Sequence, residues 1–593
     1  MTLNWKQVGQ YGFIMGIAVW YVSLVGMVET FDSRGIIDGT MLTLGRALLL
    51  TIGLGMGYVT AWKVAKGNWA TGLITSLISG IIGGVMAALL VIIIDTTNIR
   101  AMFVNASPAL VEILTFDQES LAVGLMMLAG SLIACSVAGG VIALLPHLIR
   151  RAVISGLLAV LLMGMLGELL TVVLNRFDLT EALADFLYGR NGLSVIGAIS
   201  VFIFFAAVST LWATQKEKMQ SGVENLPATQ RRALSWGLIV VSVLFLILLP
   251  QAVGPYISQI LVLVGLYAMM GLGLNIEIGL AGLLDLGFVG FFAIGAYTVA
   301  LMTTTGELGV SGTAIADYSN FWVAIPIAVA VSAFAGVFLG IPVLRMRGDY
   351  LAIVTLGFAE IIRILVLSDF LRPILGGAQG VLNIPKPAVA YVNQIANQLP
   401  FYFQSVLFFF VSTDGRIKDP AHFYYIILIG CTLIGFVAYR LQYARIGRNW
   451  MAIREDEDVA EAMGINLIAS KLLAFGIGAA FAGLSGAIFA AQVGSVFPHS
   501  FGLIVSINVV SLVIIGGSGS IPGVIVGSLV LVGLPELLRE FAEDRLLIYG
   551  ALLIVMMLVR PEGLWPSDTV RREMQSDEDV EPVPVGQTVP RSV

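Results

Sequence analysis

Charge is scarce in this chain: Asp, Glu, Lys and Arg make up 12% of its 593 residues, about half the ~25% of a soluble domain. That is too little polar surface to cover the cores that a 58% hydrophobic composition would demand in water. Cysteine is scarcer still. Cys135 and Cys431 each sit in an apolar run with no second thiol nearby, which excludes a disulfide framework or a zinc site and leaves both as small packing groups. The three histidines, His147, His422 and His499, are scattered near the ends of apolar runs without metal-ligand spacing. No Walker A sequence occurs: GGSGSIPG at 516–523 is glycine-rich but lacks the terminal Lys-Ser/Thr that holds phosphate and magnesium. It reads instead as a place where two helices approach or turn tightly. Together these absences exclude an enzyme, a metal site or a cofactor of the chain's own, and give no reason to expect nucleic acid as a partner.

What is abundant is apolar sequence, with a mean hydropathy of +0.94. Runs of about 20 apolar residues recur, each sufficient to cross a hydrocarbon core about 30 Å thick. The expected fold is all-α, a polytopic membrane protein of about 16 spans. Those of the N-terminal part are 11–29, 44–62, 70–94, 121–145, 152–174 and 193–212. The later ones are 236–254, 257–275, 286–303, 322–344, 350–368, 423–440, 470–491, 503–516, 521–538 and 546–560. The first is read as an uncleaved span, because Glu29, Asp32 and Arg34 follow it in place of a small-residue cleavage site. Lys63, Lys66, Arg150, Arg151, Lys216, Lys218, Arg231, Arg232, Arg345, Arg347, Arg440, Arg445, Arg448, Arg454 and Arg560 all fall at one side of that alternation. By the positive-inside rule that side is cytoplasmic, and so are both termini.

Four parts are expected: a six-span N-terminal membrane block, 1–214; a polar cytoplasmic linker, 215–235; a ten-span core, 236–565, with broken or re-entrant helices; and a disordered cytoplasmic tail, 566–593, rich in charge and proline. The 369–422 connection is long enough to carry a re-entrant piece at 399–411, LPFYFQSVLFFFV, which is too short to span.

Within the core, GLAGLLDLGFVGFFAIGAY (279–297) and GIGAAFAGLSGAIFA (476–490) are strewn with small residues, which let membrane helices pack closely. Close packing does not explain Asp285, set among leucines, with Asn275 and Glu277 just ahead of it. An acid at membrane depth costs about 2.5 kcal/mol or more unless paired or hydrated. Two readings stand side by side. Either the segment holding Asn275, Glu277, Gly282, Asp285 and Gly287 is a broken helix lining a pathway, or Asp285 caps the helix that follows. Glu360 and Arg363, three apart on one helix, are expected to pair structurally.

REDEDVAEAMGI, 454–465, packs five acids into twelve positions between two apolar runs. On the cytoplasmic side these acids are unremarkable and suit the start of a helix. Val459, Ala462 and Met463 then form a short apolar stripe, Asp458 and Glu461 share another face, and Gly464 follows as a C-cap. From its residues alone the segment is either an ordinary solvated helix or a docking element.

Glu461, Ala462 and Gly464 resemble the cytoplasmic "EAA" loop of ABC-importer permeases. GLGLNIEIGLAGLLDLGFVGFFAIGAYTVAL (271–301), LRMRGDYLAIVTLGFAEIIRIL (344–365), IGRNWMAIREDEDVAEAMGIN (446–466) and GGSGSIPGVIVGSLVLVGLPELLRE (516–540) are similar to the LivM-type permeases of branched-chain amino-acid importers. The likeness runs through roughly 236–565; the N-terminal block has no counterpart in the shortest members. The resemblance implies a permease in a bacterial inner membrane that takes up Leu, Ile or Val. Its implied partners are a LivH-like permease, two cytoplasmic ATPases that use the ATP, and an extracytoplasmic binding protein. It also implies that Glu461, Ala462 and Gly464 couple to an ATPase, with Asp458 and Met463 added from helix geometry. A urea or short-amide permease of the same build, an ion-coupled secondary transporter using Asp285, and a structural subunit are the alternatives.

Overall fold

Long apolar runs leave the backbone one economical way to satisfy its N–H and C=O groups away from water, which is the helix. The computed structural model describes residues 5–32, 35–40, 42–65, 68–97, 99–175, 178–189, 192–224, 228–304, 308, 320–343, 349–388, 417, 419–537, 550 and 562–567. They are overwhelmingly helical, and β pairing among them is confined to isolated bridges such as Val381 to Val496. The chain divides into two units, Met1–Leu244 and Phe245–Val593.

The first unit contains α1 (Trp5–Val25), α2 (Leu44–Ala65), α3 (Trp69–Thr96), α4 (Leu121–Leu144), α5 (His147–Met165) and α6 (Val195–Glu224). Helices α2 and α4 meet backbone to backbone: a methyl on Gly57 would overlap the Ser136 carbonyl, and one on Gly139 that of Leu54. Ser136 also donates to the Ser76 carbonyl of α3 at 2.7 Å. Arg46, only 3% exposed, is neutralised where it is buried, with Nη2 2.6 Å from Asp117 and Nε 3.9 Å from Asp32. Helical turns continue through 215–224 and 228–235, the stretch expected as a polar linker.

Helix α7 (Ala228–Leu274) begins in the first unit and continues from Phe245 in the second, where it is interrupted at Gly254, whose φ of 86° lies between Pro250 and Pro255. Pro250 has no N–H for the Leu246 carbonyl four residues back; the Tyr424 hydroxyl donates to it instead at 3.0 Å, and Tyr425 serves Ile247 likewise. The remaining framework is α8 (Phe288–Thr303), α9 (Phe321–Val343), α10 (Asp349–Leu367), α11 (Pro420–Tyr443), α12 (Arg445–Glu455), α13 (Glu457–Ala462), α14 (Leu467–Val493), α15 (Leu503–Gly516) and α16 (Ile521–Ser528). Helix α14 is the hub. Its Gly483 and Gly486 lie on the backbone of α8, where Gly295 meets the Gly483 carbonyl and Gly486 that of Phe292, and its Ala479 and Phe475 meet Gly336 of α9.

Twelve helices among the described residues are long and apolar enough to cross a membrane. One of these stretches, Gly237–Leu280, has 44 residues, about twice the length one crossing needs, and Gly254 divides it where two spans are expected. Phe288–Thr303 and Ile521–Leu537 are shorter apolar helices. Of the last expected span only Gly550 is described; the 399–411 segment and the tail beyond Ser567 lie outside the described residues. The chain is an all-α, polytopic membrane protein.

Candidate functional site

Helix α7 does not end cleanly. Asn275–Leu280 forms a π-helical turn, and 281–287 is irregular before α8 begins. Such a turn marks functional sites more often than it marks defects. The expected break is therefore present, and the five sequence-derived pathway residues lie on it. The amide groups freed at the start of α8 are met by side chains from three directions. Leu286 N–H donates to Thr355 of α10 at 3.1 Å, Gly287 N–H to Asp285 at 2.6 Å, and Val289 N–H to Ser506 of α15 at 3.1 Å. Asp285 therefore does not cap α8 as one reading held: the N-cap is Gly287, which has no side-chain cap bond, and Asp285 closes an Asx turn just ahead of it at 0% exposure rather than at a surface.

Glu277 is equally buried, and its carboxyl lies within hydrogen-bonding reach of that of Asp285. Neither Glu277 oxygen, nor Oδ2 of Asp285, meets an N–H or O–H donor among the described residues. Burying such groups is costly, so their presence marks the segment as more than helix padding. Space for the Glu277 carboxyl is made by Gly478 of α14, where a methyl would land on Oε1. Gly287 likewise accepts the Thr355 carbonyl where a Cβ would sit.

The acidic stretch forms one short helix, α13, as expected, and a second helix, α12, leads up to it and ends on Arg454 and Glu455. Trp450 anchors α12: it is 0% exposed and its Nε1 donates to the Ser470 carbonyl at 2.8 Å. Asp456 caps α13 by accepting the N–H groups of Asp458 and Val459 at 2.9 and 3.0 Å. At the other end Gly464, with φ of 85°, donates to Glu461, and Ile465 donates to Ala460, the pair of bonds that closes a helix on a left-handed residue. Ala460 turns inward at 3% exposure. Val459 and Met463 are 58% and 79% exposed, and Asp458, Glu461 and Ala462 are exposed with them. The apolar stripe is thus open. Glu457 ties the helix to α14 by a 2.7 Å ion pair with Lys471, whose side chain is 6% exposed.

The helix pair and the broken segment touch. Arg454, the last-turn residue of α12, donates from Nη1 to the Gly279 carbonyl at 2.8 Å. Its stem lies against Gly282, where a built Cβ would come within 3.0 Å of Arg454 Cγ and where φ is 71°. Asn275 accepts the Gly519 N–H at 2.8 Å, and Gln442 donates to the Gly519 carbonyl at 3.3 Å. These groups border a cavity of about 270 Å³ between Gly279, Met451, Arg454, Glu455 and Gly519. The GGSGSIPG turn is therefore a seat for Asn275. Its Gly516 and Gly523 do pack α15 against α16 backbone to backbone.

A helical membrane protein with a broken, acid-bearing helix wired to a polar helix pair at one end has the build of a membrane permease. The chain belongs to the permease family of branched-chain amino acid transport systems: residues 256–559 match the family described as branched-chain amino acid transport system / permease component. It is 38% identical over 386 residues to the high-affinity branched-chain amino acid transport system permease protein LivM of Salmonella typhimurium, covering 64% of this chain and 87% of that one. The Escherichia coli K12 LivM is 39% identical over 376 residues, covering 63% and 84%. The E. coli LivH permease is 35% identical over 127 residues, 21% of this chain and 41% of that one. No solved structure matches significantly.

Sequence reasoning used Arg454 only for sidedness and passed over Gly519, Gln442, Thr355, Ser506, Trp450, Asp456 and the Glu457–Lys471 pair. Asp456 had a readable signal, since Asp is a favoured helix N-cap. Lys471 had another, as a lone cation one turn inside an apolar run. The rest are contacts across many residues of sequence, with no local signature.

Proposed function

We propose that this chain is a membrane subunit of an ATP-driven importer of Leu, Ile and Val in a bacterial cytoplasmic membrane, with both termini and α12–α13 on the cytoplasmic side. In this reading it pairs with a LivH-like permease, receives substrate from an extracytoplasmic binding protein, and is driven by two separate ATPases. The single observation that carries the proposal is the junction of the α12–α13 pair with the broken segment, where Arg454, at the end of α12 next to the exposed α13, bonds Gly279 and packs on Gly282. An ATPase seated on Val459, Ala462 and Met463, beside Asp458 and Glu461, would displace α13; the Glu457–Lys471 pair would carry α14 with it, and Arg454 would pull the segment at 275–287. Asn275, Glu277, Gly282, Asp285 and Gly287 would line the pathway when this packing opens.

Support for the substrate comes from the relatives, which are named for branched-chain amino acids. The test is uptake by the complete assembly in proteoliposomes, with labelled leucine against labelled urea. Deleting 455–464 should abolish ATP-dependent leucine uptake while the chain still inserts. Uptake that persists without these residues, or that follows an ion gradient in the absence of ATP, defeats the reading in favour of an ion-coupled carrier using Glu277 and Asp285. Preference for urea would keep the mechanism and replace the substrate.

A further inference from the structure

The first unit contains a groove that the transport reading does not use. It lies between α5 and α6, has a volume of about 470 Å³, and joins two kinds of lining. Toward the start of α5 are His147, Arg150 and Arg151, with Trp212 of α6 at the same end because the two helices run antiparallel, Ser155 lying beside Phe205 and Gly156 beside Phe202; deeper along the helices are Leu158 and Phe205. The two helices touch at Gly156, where a methyl would press within 2.6 Å of the Phe202 ring, so the groove is set by packing rather than by a loop.

Its charge is one-sided. The first turn of α5 contains no acid, and among the described residues neither Arg150 nor Arg151 belongs to an ion pair, Arg150 making one 3.4 Å bond to the Ala143 carbonyl. Elsewhere in this unit the buried cation Arg46 is matched by Asp32 and Asp117, so two unmatched guanidinium groups stand out. The apolar wall faces outward: Leu158 is 52% and Trp212 61% exposed. It continues into the outward surface of α6, where Phe204 is 62% exposed. That surface meets lipid in a polytopic membrane protein, and basic grooves between membrane helices are suited to anionic headgroups.

We propose that this groove holds an anionic phospholipid, its phosphate at Arg150 and Arg151, its glycerol region beside Trp212, and an acyl chain along Phe205 and Leu158. Both halves of the lining are needed for such a ligand. A free phosphate has no use for the apolar wall, and a zwitterionic lipid brings a cation of its own to the two arginines. The site is independent of the importer reading and would stand if that reading failed.

The experiment uses the full chain purified in neutral detergent, titrated with dioleoylphosphatidylglycerol or dioleoylphosphatidylcholine, with bound lipid counted by native mass spectrometry. Phosphatidylglycerol should bind preferentially. Removing both charges in Arg150→Gln/Arg151→Gln should weaken it by about 30-fold, the worth of two cations near a membrane surface. Arg440→Gln/Arg445→Gln removes two exposed arginines outside this groove and should change binding less than about 3-fold on the same scale. Leu158→Ser should weaken phosphatidylglycerol as well, which a site for headgroup charge alone would not show. The proposal is overturned if both arginine pairs lose equally, if phosphatidylcholine binds as well, or if millimolar inorganic phosphate displaces the lipid. It is also overturned if a second copy or an acidic protein, rather than lipid, occupies the groove.

Discussion

Replacing Arg454 by Met keeps the stem that lies on Gly282 and removes the guanidinium that holds the Gly279 carbonyl. A hydrogen bond from a charged donor contributes about 1.5–3 kcal/mol. Arg454 is largely exposed, so screening by solvent places this one at the low end, about 1.5 kcal/mol. If the bond makes the broken segment follow α12, its loss should lower leucine moved per ATP hydrolysed by about tenfold. In the proposed importer the ATPases should still dock and turn over, because α13 and its caps are untouched. The assay is paired measurement of ATP hydrolysis and labelled leucine uptake in proteoliposomes containing the complete importer. Arg454→Lys, which keeps a donor but loses the planar fork, should fall between wild type and Met. An Arg454→Met importer with an unchanged leucine-to-ATP ratio would refute the transmission argument. A variant that loses hydrolysis in proportion to uptake would show that Arg454 serves docking instead.

Other outcomes follow from the same geometry. Gly478→Ala would drive a methyl onto the Glu277 carboxyl and should cost about 1–3 kcal/mol of stability, whereas Gly435→Ala, in open space, should leave the thermal midpoint in detergent nearly unchanged. At Gly464 nothing obstructs a side chain but φ is 85°, so Gly464→Asn should retain more transport than Gly464→Val, by the roughly 1–2 kcal/mol that a left-handed backbone costs most L-residues. Lys471→Met should destabilise the chain by about 1–3 kcal/mol, below the 3–5 of a fully buried pair because Glu457 is partly exposed. A Lys471→Met/Glu457→Gln double variant should recover part of that loss in a denaturation cycle.

Much of the architecture was legible because a bilayer imposes a local rule: twenty apolar residues in succession are a helix whatever their neighbours. The break after Leu274 was legible for the same reason, since Asn275, Glu277 and Asp285 violate that rule where they stand. What local sequence could not show is how the violation is accommodated. Thr355, Ser506 and Gly519 reach the segment from 69 to 244 positions away, and none differs in type from dozens of packing residues. The acidic stretch was read as one short helix from its first-turn acids, its apolar stripe and Gly464, and α13 is that helix. Asp456 separates it from α12 by capping its start, and among the described residues Ala460 faces inward while the apolar stripe is exposed. Gly464 was identified correctly as the terminator, since few other residues adopt that backbone conformation.

The glycine seam between α8 and α14 has a mechanical consequence. Where Gly295 meets Gly483 and Gly486 meets Phe292, main chain rests on main chain, with no side chain between them that a rotamer change could rearrange. Two rods joined this way cannot slide or roll past each other in small steps; they travel together or separate altogether. In the proposed importer any alternation of access would then bend elsewhere, and the six-residue wide turn after Leu274, tied by hydrogen bonds to Arg454 and Gly519, would serve as that hinge.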